Sequence, residues 1–188
     1  MSGATGGAGS FRALGESEAY RGPLVSVVRG RFAAPDGTVF EREVVRHPGA
    51  VVVVPMVGPT VALLVRQYRA AVGAELLELP AGKRDVAGEP TEVTAERELV
   101  EEVGRRPGNL ELLGRFYNSP GFCDEHTWLY LATELTEVPC DRQGLEEQAM
   151  TVEEVRLGDL GRLVRSGELR DAKTIVGLSL AAERLGTC

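Results

Sequence analysis

Glu98, Glu101 and Glu102 carry the strongest chemical signal in this chain. They stand at i, i+3 and i+4, so a helix projects all three from one face. Glu89, Glu92 and Glu96 bring the total to six carboxylates within fourteen residues. Carboxylates this close repel one another, and a helix gains no stability from them. A hard divalent cation, Mg2+ or Mn2+, turns that repulsion into binding, because oxygen ligands converge on it. A solvated acidic face is the other reading of such a charge run. Arg97, directly before the trio, suits an ion pair with a neighbouring carboxylate that fixes its rotamer.

The surrounding pattern supplies the helix. Ala95, Leu99 and Val103 recur at i, i+4 and i+8, which gives the segment from Pro90 to Val103 an apolar face. Pro90 suits the first turn and Gly104 the C-terminal cap. Before it, Leu24–Val28 and Val39–Val45 read as strands joined by the turn Pro35-Asp36-Gly37. Ala50–Pro55, Val61–Val65 and Leu76–Leu79 are further apolar runs, and Gly82–Gly88 is a loop. After it, strands are expected at Leu110–Tyr117, Trp128–Thr133 and Met150–Val155. Glu137–Gln148 reads as a loop, and Leu157–Ser166 and Ala172–Leu185 as helices. Mixed strands and helices give an α/β or α+β domain. Residues 1–19, opening on Gly, Ala, Ser and Thr, are expected to be a flexible leader, and 20–48 a small antiparallel β unit too slight to be stable alone.

Bulk properties narrow the partners. The 188 residues fit one ordinary domain with an appendage, and 43% apolar content is normal for a globular chain. A net charge of −7 argues against a nucleic-acid binder but not against a phosphate-bearing small substrate. Cys123, Cys140 and Cys188 form no CxxC pair, so three free thiols in a reducing cytoplasm are expected. The longest apolar run, Ala50–Val57, is too short to span a membrane.

The stretch from Gly82 to Gly104 resembles the signature of the Nudix hydrolase superfamily. Gly82 opens it, Glu89 is followed by seven residues, and Arg97-Glu98-Leu99-Val100-Glu101-Glu102-Val103-Gly104 completes it. Two positions depart. Six residues separate Gly82 from Glu89, one more than the family pattern, and Arg105 replaces its final apolar residue. The extra residue lies in a loop, where added length costs little. The resemblance implies a Nudix α/β/α sandwich with a mixed sheet over residues 49–188, and Mg2+-dependent hydrolysis of a pyrophosphate bond. It implies Glu98 and Glu102 as principal metal ligands, Glu101 as a third and the Ala81 carbonyl as a further one.

Flanking segments are similar to the ADP-ribose pyrophosphatase branch. These are Leu64-Val65-Arg66-Gln67-Tyr68-Arg69, Glu78-Leu79-Pro80-Ala81-Gly82-Lys83 and Asn118-Ser119-Pro120-Gly121-Phe122, with Glu125 just beyond and Pro120 sixteen residues after Gly104. The branch implies ADP-ribose and water as substrates, giving AMP and ribose 5-phosphate. Arg69, or else Arg66, suits a bidentate contact to a phosphate. Glu78 suits ribose or support of the metal shell, though a lone acid equally caps a loop. Pro120, Gly121 and Phe122 suit a ribose-side wall, or an ordinary turn with a core Phe. A glutamate on a late loop deprotonates water in this branch, which points to Glu147, with Glu146 second. His126 beside a strand is more often structural.

The branch also implies a homodimer that exchanges its N-terminal strands, with Phe32 offered to the adenine of the partner's site or else packed in the core. A pyrophosphatase for another nucleotide sugar such as GDP-mannose keeps the same chemistry. A non-catalytic Nudix-fold module is the alternative of another class, but all three glutamates remain and no basic DNA-binding extension follows.

Overall fold

The computed structural model describes residues 9–142 and 144–187. They fall into two compact units, one made of the chain up to Pro48 plus Tyr117–His126, the other of Gly49–Phe116 and the chain from Thr127 onward.

The first unit is built on an antiparallel sheet of β1 (Arg12–Arg21), β2 (Ser26–Ala33) and β3 (Val39–Arg46), in that order. The expected Pro35-Asp36-Gly37 turn joins β2 to β3. Gly37 takes φ 88°, a conformation open to glycine, and the Thr38 N–H donates to Asp36 Oδ1 at 2.9 Å. Residues 12–19, read from the sequence as leader, form most of β1. All ten β1 residues are exposed, so no buried face imposes the alternation that reveals a strand. The segment 117–126 lies along β3. The Val45 N–H donates to the Phe122 carbonyl at 2.7 Å, and Asp124 accepts from the His47 N–H and from Arg46.

The second unit contains β4 (Ala50–Pro55), β5 (Val61–Arg69), β6 (Ala74–Glu78), β7 (Ala81–Lys83), α1 (Thr91–Val103), β8 (Arg105–Arg106), β9 (Asn109–Tyr117), β10 (His126–Thr133), β11 (Thr136–Glu137), α2 (Leu145–Gln148), β12 (Thr151–Arg156), α3 (Leu160–Ser166) and α4 (Ala172–Leu185). One sheet runs β7-β4-β10-β9, with β4 parallel to β10 and antiparallel to β7. A second runs β12-β5-β6, and β11 pairs with β8.

All six residues of β4 are buried, the mark of a strand covered on both faces. Val51 and Val53 pack with Ala95, Leu99 and Val103 of α1, while Val52 and Val54 pack with Leu178, Ala181 and Ala182 of α4. Helices therefore cover both faces of a mixed sheet, which is the expected α/β/α layering. Each fully buried Leu or Val contributes roughly 1.5–3 kcal/mol, so α1 is fixed on the sheet by its apolar stripe. Gly104 closes α1 in the left-handed conformation (φ 62°), as the sequence predicts. The expected loop at Glu137–Gln148 holds the short helix α2, which buries none of its residues and so leaves no periodic signal.

Candidate active site

The apolar stripe of α1 turns Glu98, Glu101 and Glu102 to the side where β7 enters. Gly82 of β7 lies directly against Glu98: a Cβ placed there would sit 1.8 Å from Glu98 Cδ. The opening residue of the motif is glycine because the carboxylate occupies the volume of a side chain. Glu102 is 4% exposed and accepts the Ala81 N–H at 3.1 Å. Arg97 gathers the remaining acids. Its Nη1 donates to Glu98 at 2.8 Å and Glu101 at 3.2 Å, and its Nη2 to Glu89 at 3.3 Å. Glu89 also accepts the Thr94 hydroxyl at 2.7 Å, so the box loop is tied to the helix it precedes.

Burial sets the electrostatics. It pushes the Glu98 carboxyl up to about 7, with the charges of Glu101 and Glu147 adding to the rise and Arg97 opposing it. It pushes Glu102 up to about 8, with Glu98 and Glu147 adding, and the Ala81 N–H and Arg69 opposing. Two sunken carboxyls that resist ionisation next to one another are a set of hard oxygen donors short of positive charge. That chemistry fits Mg2+ or Mn2+. Among the described residues no three His, Cys, Asp or Glu side chains surround one point. Arg97 draws Glu98 and Glu101 to itself, and Glu102 turns to Ala81.

Glu147 belongs to the same neighbourhood, since its charge reaches both Glu98 and Glu102. Its carboxylate accepts the Gly144 N–H at 3.2 Å. Glu146, on the same short helix, is exposed. The structure thus gathers Ala81, Glu98, Glu101, Glu102 and Glu147.

Arg69 and Glu78 meet each other. Arg69 Nε and Nη2 donate to the two Glu78 oxygens at 2.9 and 2.6 Å. Glu78 is almost wholly buried, and a buried carboxylate requires such a partner. The Thr174 hydroxyl accepts the neighbouring Leu79 N–H at 2.8 Å and donates to Asp171, the N-cap of α4, at 2.7 Å. The segment leading into β7 is thereby pinned to α4. Arg66 turns instead to Glu153 of β12, with bonds of 2.5 and 3.1 Å.

Pro120, Gly121, Phe122 and Glu125 lie in the first unit. There Pro120, Gly121 and Phe122 line a cavity of about 440 Å³ with Phe32, Phe40, Arg42, Val44, Tyr117, Cys123 and Asp124. Phe32 stacks on Phe40 at 5.5 Å, and the Arg42 guanidinium lies over the Phe40 ring at 4.7 Å. The Glu125 N–H donates to Cys123 Sγ at 3.4 Å, and His126 stacks on Tyr117.

Two residues near the acidic helix escaped the sequence reading. Arg142 donates to the Glu102 carbonyl at 3.1 Å and to the Met150 carbonyl at 2.6 Å. Gln67 of β5 is 5% exposed, and its Nε2 has no hydrogen-bond partner. Arg142 belongs to no motif, and Gln67 lies in the Leu64–Arg69 segment without a role of its own there. Only the alternation of β5, which puts a polar side chain at a buried position, could have flagged Gln67.

An ADP-ribose pyrophosphatase of Bacillus subtilis (strain 168) is 36% identical over 163 residues, covering 87% of this chain and 88% of the relative. An ADP-ribose pyrophosphatase of Mycobacterium tuberculosis (strain ATCC 25618 / H37Rv) is 38% identical over 168 residues, covering 89% and 81%. A solved structure described as an ADP compounds hydrolase superposes with a TM-score of 0.81 at 22% identity, covering 97% of this chain and 98% of its own, and shares the fold. The NUDIX domain profile matches residues 45–174, a span that holds the whole acidic site, and the chain belongs to the Nudix family.

Proposed function

We propose that this Nudix hydrolase cleaves the pyrophosphate bond of ADP-ribose, with Mg2+ (or Mn2+), to give AMP and ribose 5-phosphate. One observation carries the reading: Glu102 is buried and Glu98, one turn before it on α1, is largely covered, with Glu147 close enough to raise both. The substrate rests on the two curated relatives named as ADP-ribose pyrophosphatases.

Glu98, Glu101, Glu102 and the Ala81 carbonyl would hold the cation. When bound, it neutralises diphosphate charge and makes water a better nucleophile. The chain's own residues orient and move the proton. Arg97 fixes the rotamers of Glu98 and Glu101 through its Nη1 bonds. Glu147, or else Glu146, accepts a proton from the attacking water. Arg69 uses Nε and Nη2 for Glu78, which leaves Nη1 for a substrate phosphate. Arg66, similarly held by Glu153, is the second candidate. Glu78 serves chiefly by orienting Arg69. Pro120, Gly121 and Phe122 form the ribose-side wall, with Glu125 next to them, and they line a cavity of their own unit with Phe32.

A homodimer formed through the first unit is part of the same reading. All of β1 is exposed, and Phe11, Leu14, Tyr20, Leu24 and Val39 present apolar side chains there. A cytoplasmic setting suits Cys123 and Cys140, both free thiols. No helix of the described residues is long and apolar enough to cross a membrane.

AMP release from ADP-ribose with Mg2+ tests the proposal. Turnover of ADP-ribose in preference to GDP-mannose is expected. Turnover of GDP-mannose alone would overturn the substrate, and no turnover on any nucleoside diphosphate derivative would overturn the activity.

A further inference from the structure

The α2 loop, between Arg142 and Met150, carries Glu146 and Glu147 with almost no apolar anchorage. Leu145 is 83% exposed, and α2 buries no residue. A single side chain nevertheless holds both ends of this loop. Arg142, at its start, donates from Nη1 to the carbonyl of Met150, at its end, and from Nε to the carbonyl of Glu102 in the last turn of α1. Both acceptors are firm. Met150 is buried in the core beside Leu99 and Val103. The Glu102 carbonyl is among the last four of α1, which lack partners within the helix and carry the negative end of its dipole. A guanidinium satisfies both demands, and its planar fork spans two carbonyls where an ammonium offers only a point charge.

We propose that Arg142 is a positioning residue that clamps the base of the α2 loop to the C-terminal turn of α1. The clamp fixes Glu147 against Glu98 and Glu102. Glu102 is held from two sides, its carboxylate by Ala81 and its carbonyl by Arg142. The inference rests on Glu147 being the proton acceptor, and the experiment separates the two claims.

The test is a double-mutant cycle of Arg142→Met and Glu147→Gln, read as kcat and KM for ADP-ribose at saturating Mg2+. Arg142→Met is expected to lower kcat about 10- to 100-fold, the scale of bonds from a charged donor, with KM within about twofold. In the Glu147→Gln background it is expected to cost nothing more, because residues acting as a unit are not additive. Hydrogen exchange supplies a readout independent of catalysis. The loop amides of Gln148, Ala149 and Met150, which donate to Gly144, Leu145 and Glu147, should exchange faster in Arg142→Met, while α4 is unchanged. A kcat within twofold of wild type, or losses that multiply, would overturn the clamp. If Glu147→Gln alone leaves kcat intact, the proton acceptor is misassigned, and unchanged loop exchange then overturns the clamp by itself. Should Arg142→Met not fold, Arg142→Lys keeps the charge but reaches one carbonyl, and a partial loss in the same readouts is expected.

Discussion

Replacing Gly82 with Ala adds one carbon and two hydrogens, and the structure makes the consequence unusually sharp. The new Cβ would lie 1.8 Å from Glu98 Cδ, 2.1 Å from Oε1 and 2.2 Å from Cγ. Contacts that short do not exist, so the end of the Glu98 side chain must retreat by roughly 1 Å or more, and misplacement on that scale costs about 100-fold in rate. The 2.8 Å bond from Arg97 is lost or bent in the process. Stability should move little. The obstacle is the far end of a flexible side chain, and the new rotamer costs about 0.5–1.5 kcal/mol. Gly82 has no positive φ, so Ala fits the backbone and regains about 0.4–1 kcal/mol by restricting the unfolded chain. The expected outcome is therefore a split: kcat for AMP release falls about 100-fold while the thermal midpoint stays near wild type. Gly158→Ala is the control, because a Cβ there meets nothing within 4 Å. Wild-type kcat in Gly82→Ala would refute the claim that Glu98 works from its position against Gly82. A collapsed midpoint would refute the claim that this glycine serves the site rather than the fold.

Further outcomes follow from the same contacts. Glu102 ionises at about 8 in the folded chain against an ordinary 4.5, and Glu98 at about 7, both chiefly through burial, so the metal-free folded state binds more protons than the unfolded state across that window. Its stability is then full below about pH 4.5 and declines as pH rises towards 8; urea midpoints across pH check this, and a flat profile, or no flattening by Glu102→Gln, would contradict it. Thr174→Val removes the acceptor of the buried Leu79 N–H, which should cost about 1–3 kcal/mol and lower the thermal midpoint by roughly 2–4 °C per kcal/mol. Gly177→Ala forces a Cβ to 2.4 Å from Leu79 Cδ1 where α4 meets β4, and a loss of about 1–3 kcal/mol is expected in denaturant titration.

Where burial imposed a period, the sequence disclosed the element. Ala95, Leu99 and Val103 marked α1, and the apolar run Ala50–Pro55 marked a strand, whose helices on both sides only the structure shows. The acidic trio was legible from its spacing, since i, i+3 and i+4 share one helical face, here the one that borders the buried stripe. Pairings made by tertiary approach were not legible. Arg69 and Glu78 are nine residues apart and meet only because β5 and β6 form a hairpin. Arg142 acts on two backbone carbonyls, and a carbonyl has no letter in a sequence. β1 stayed hidden because a strand exposed along its whole length needs no alternation.

The site joins two kinds of support, and the difference bears on how such an enzyme can turn over. Glu98 and Glu102 share turns of α1 with Leu99 and Val103, which are buried against Val51 and Val53. Moving either carboxylate bodily would lift that stripe off the sheet, at several kcal/mol for the side chains uncovered. That half of the site is therefore fixed by the core. Glu147 rides on four residues of helix that bury nothing, retained by the Arg142 bonds and its own bond to the Gly144 N–H. Segments with little buried apolar surface open at the lowest free energy in a fold. A diphosphate must enter and two products must leave, so some element has to yield in each cycle. The α2 loop yields most cheaply, and it can do so without disturbing the carboxylates that define the site.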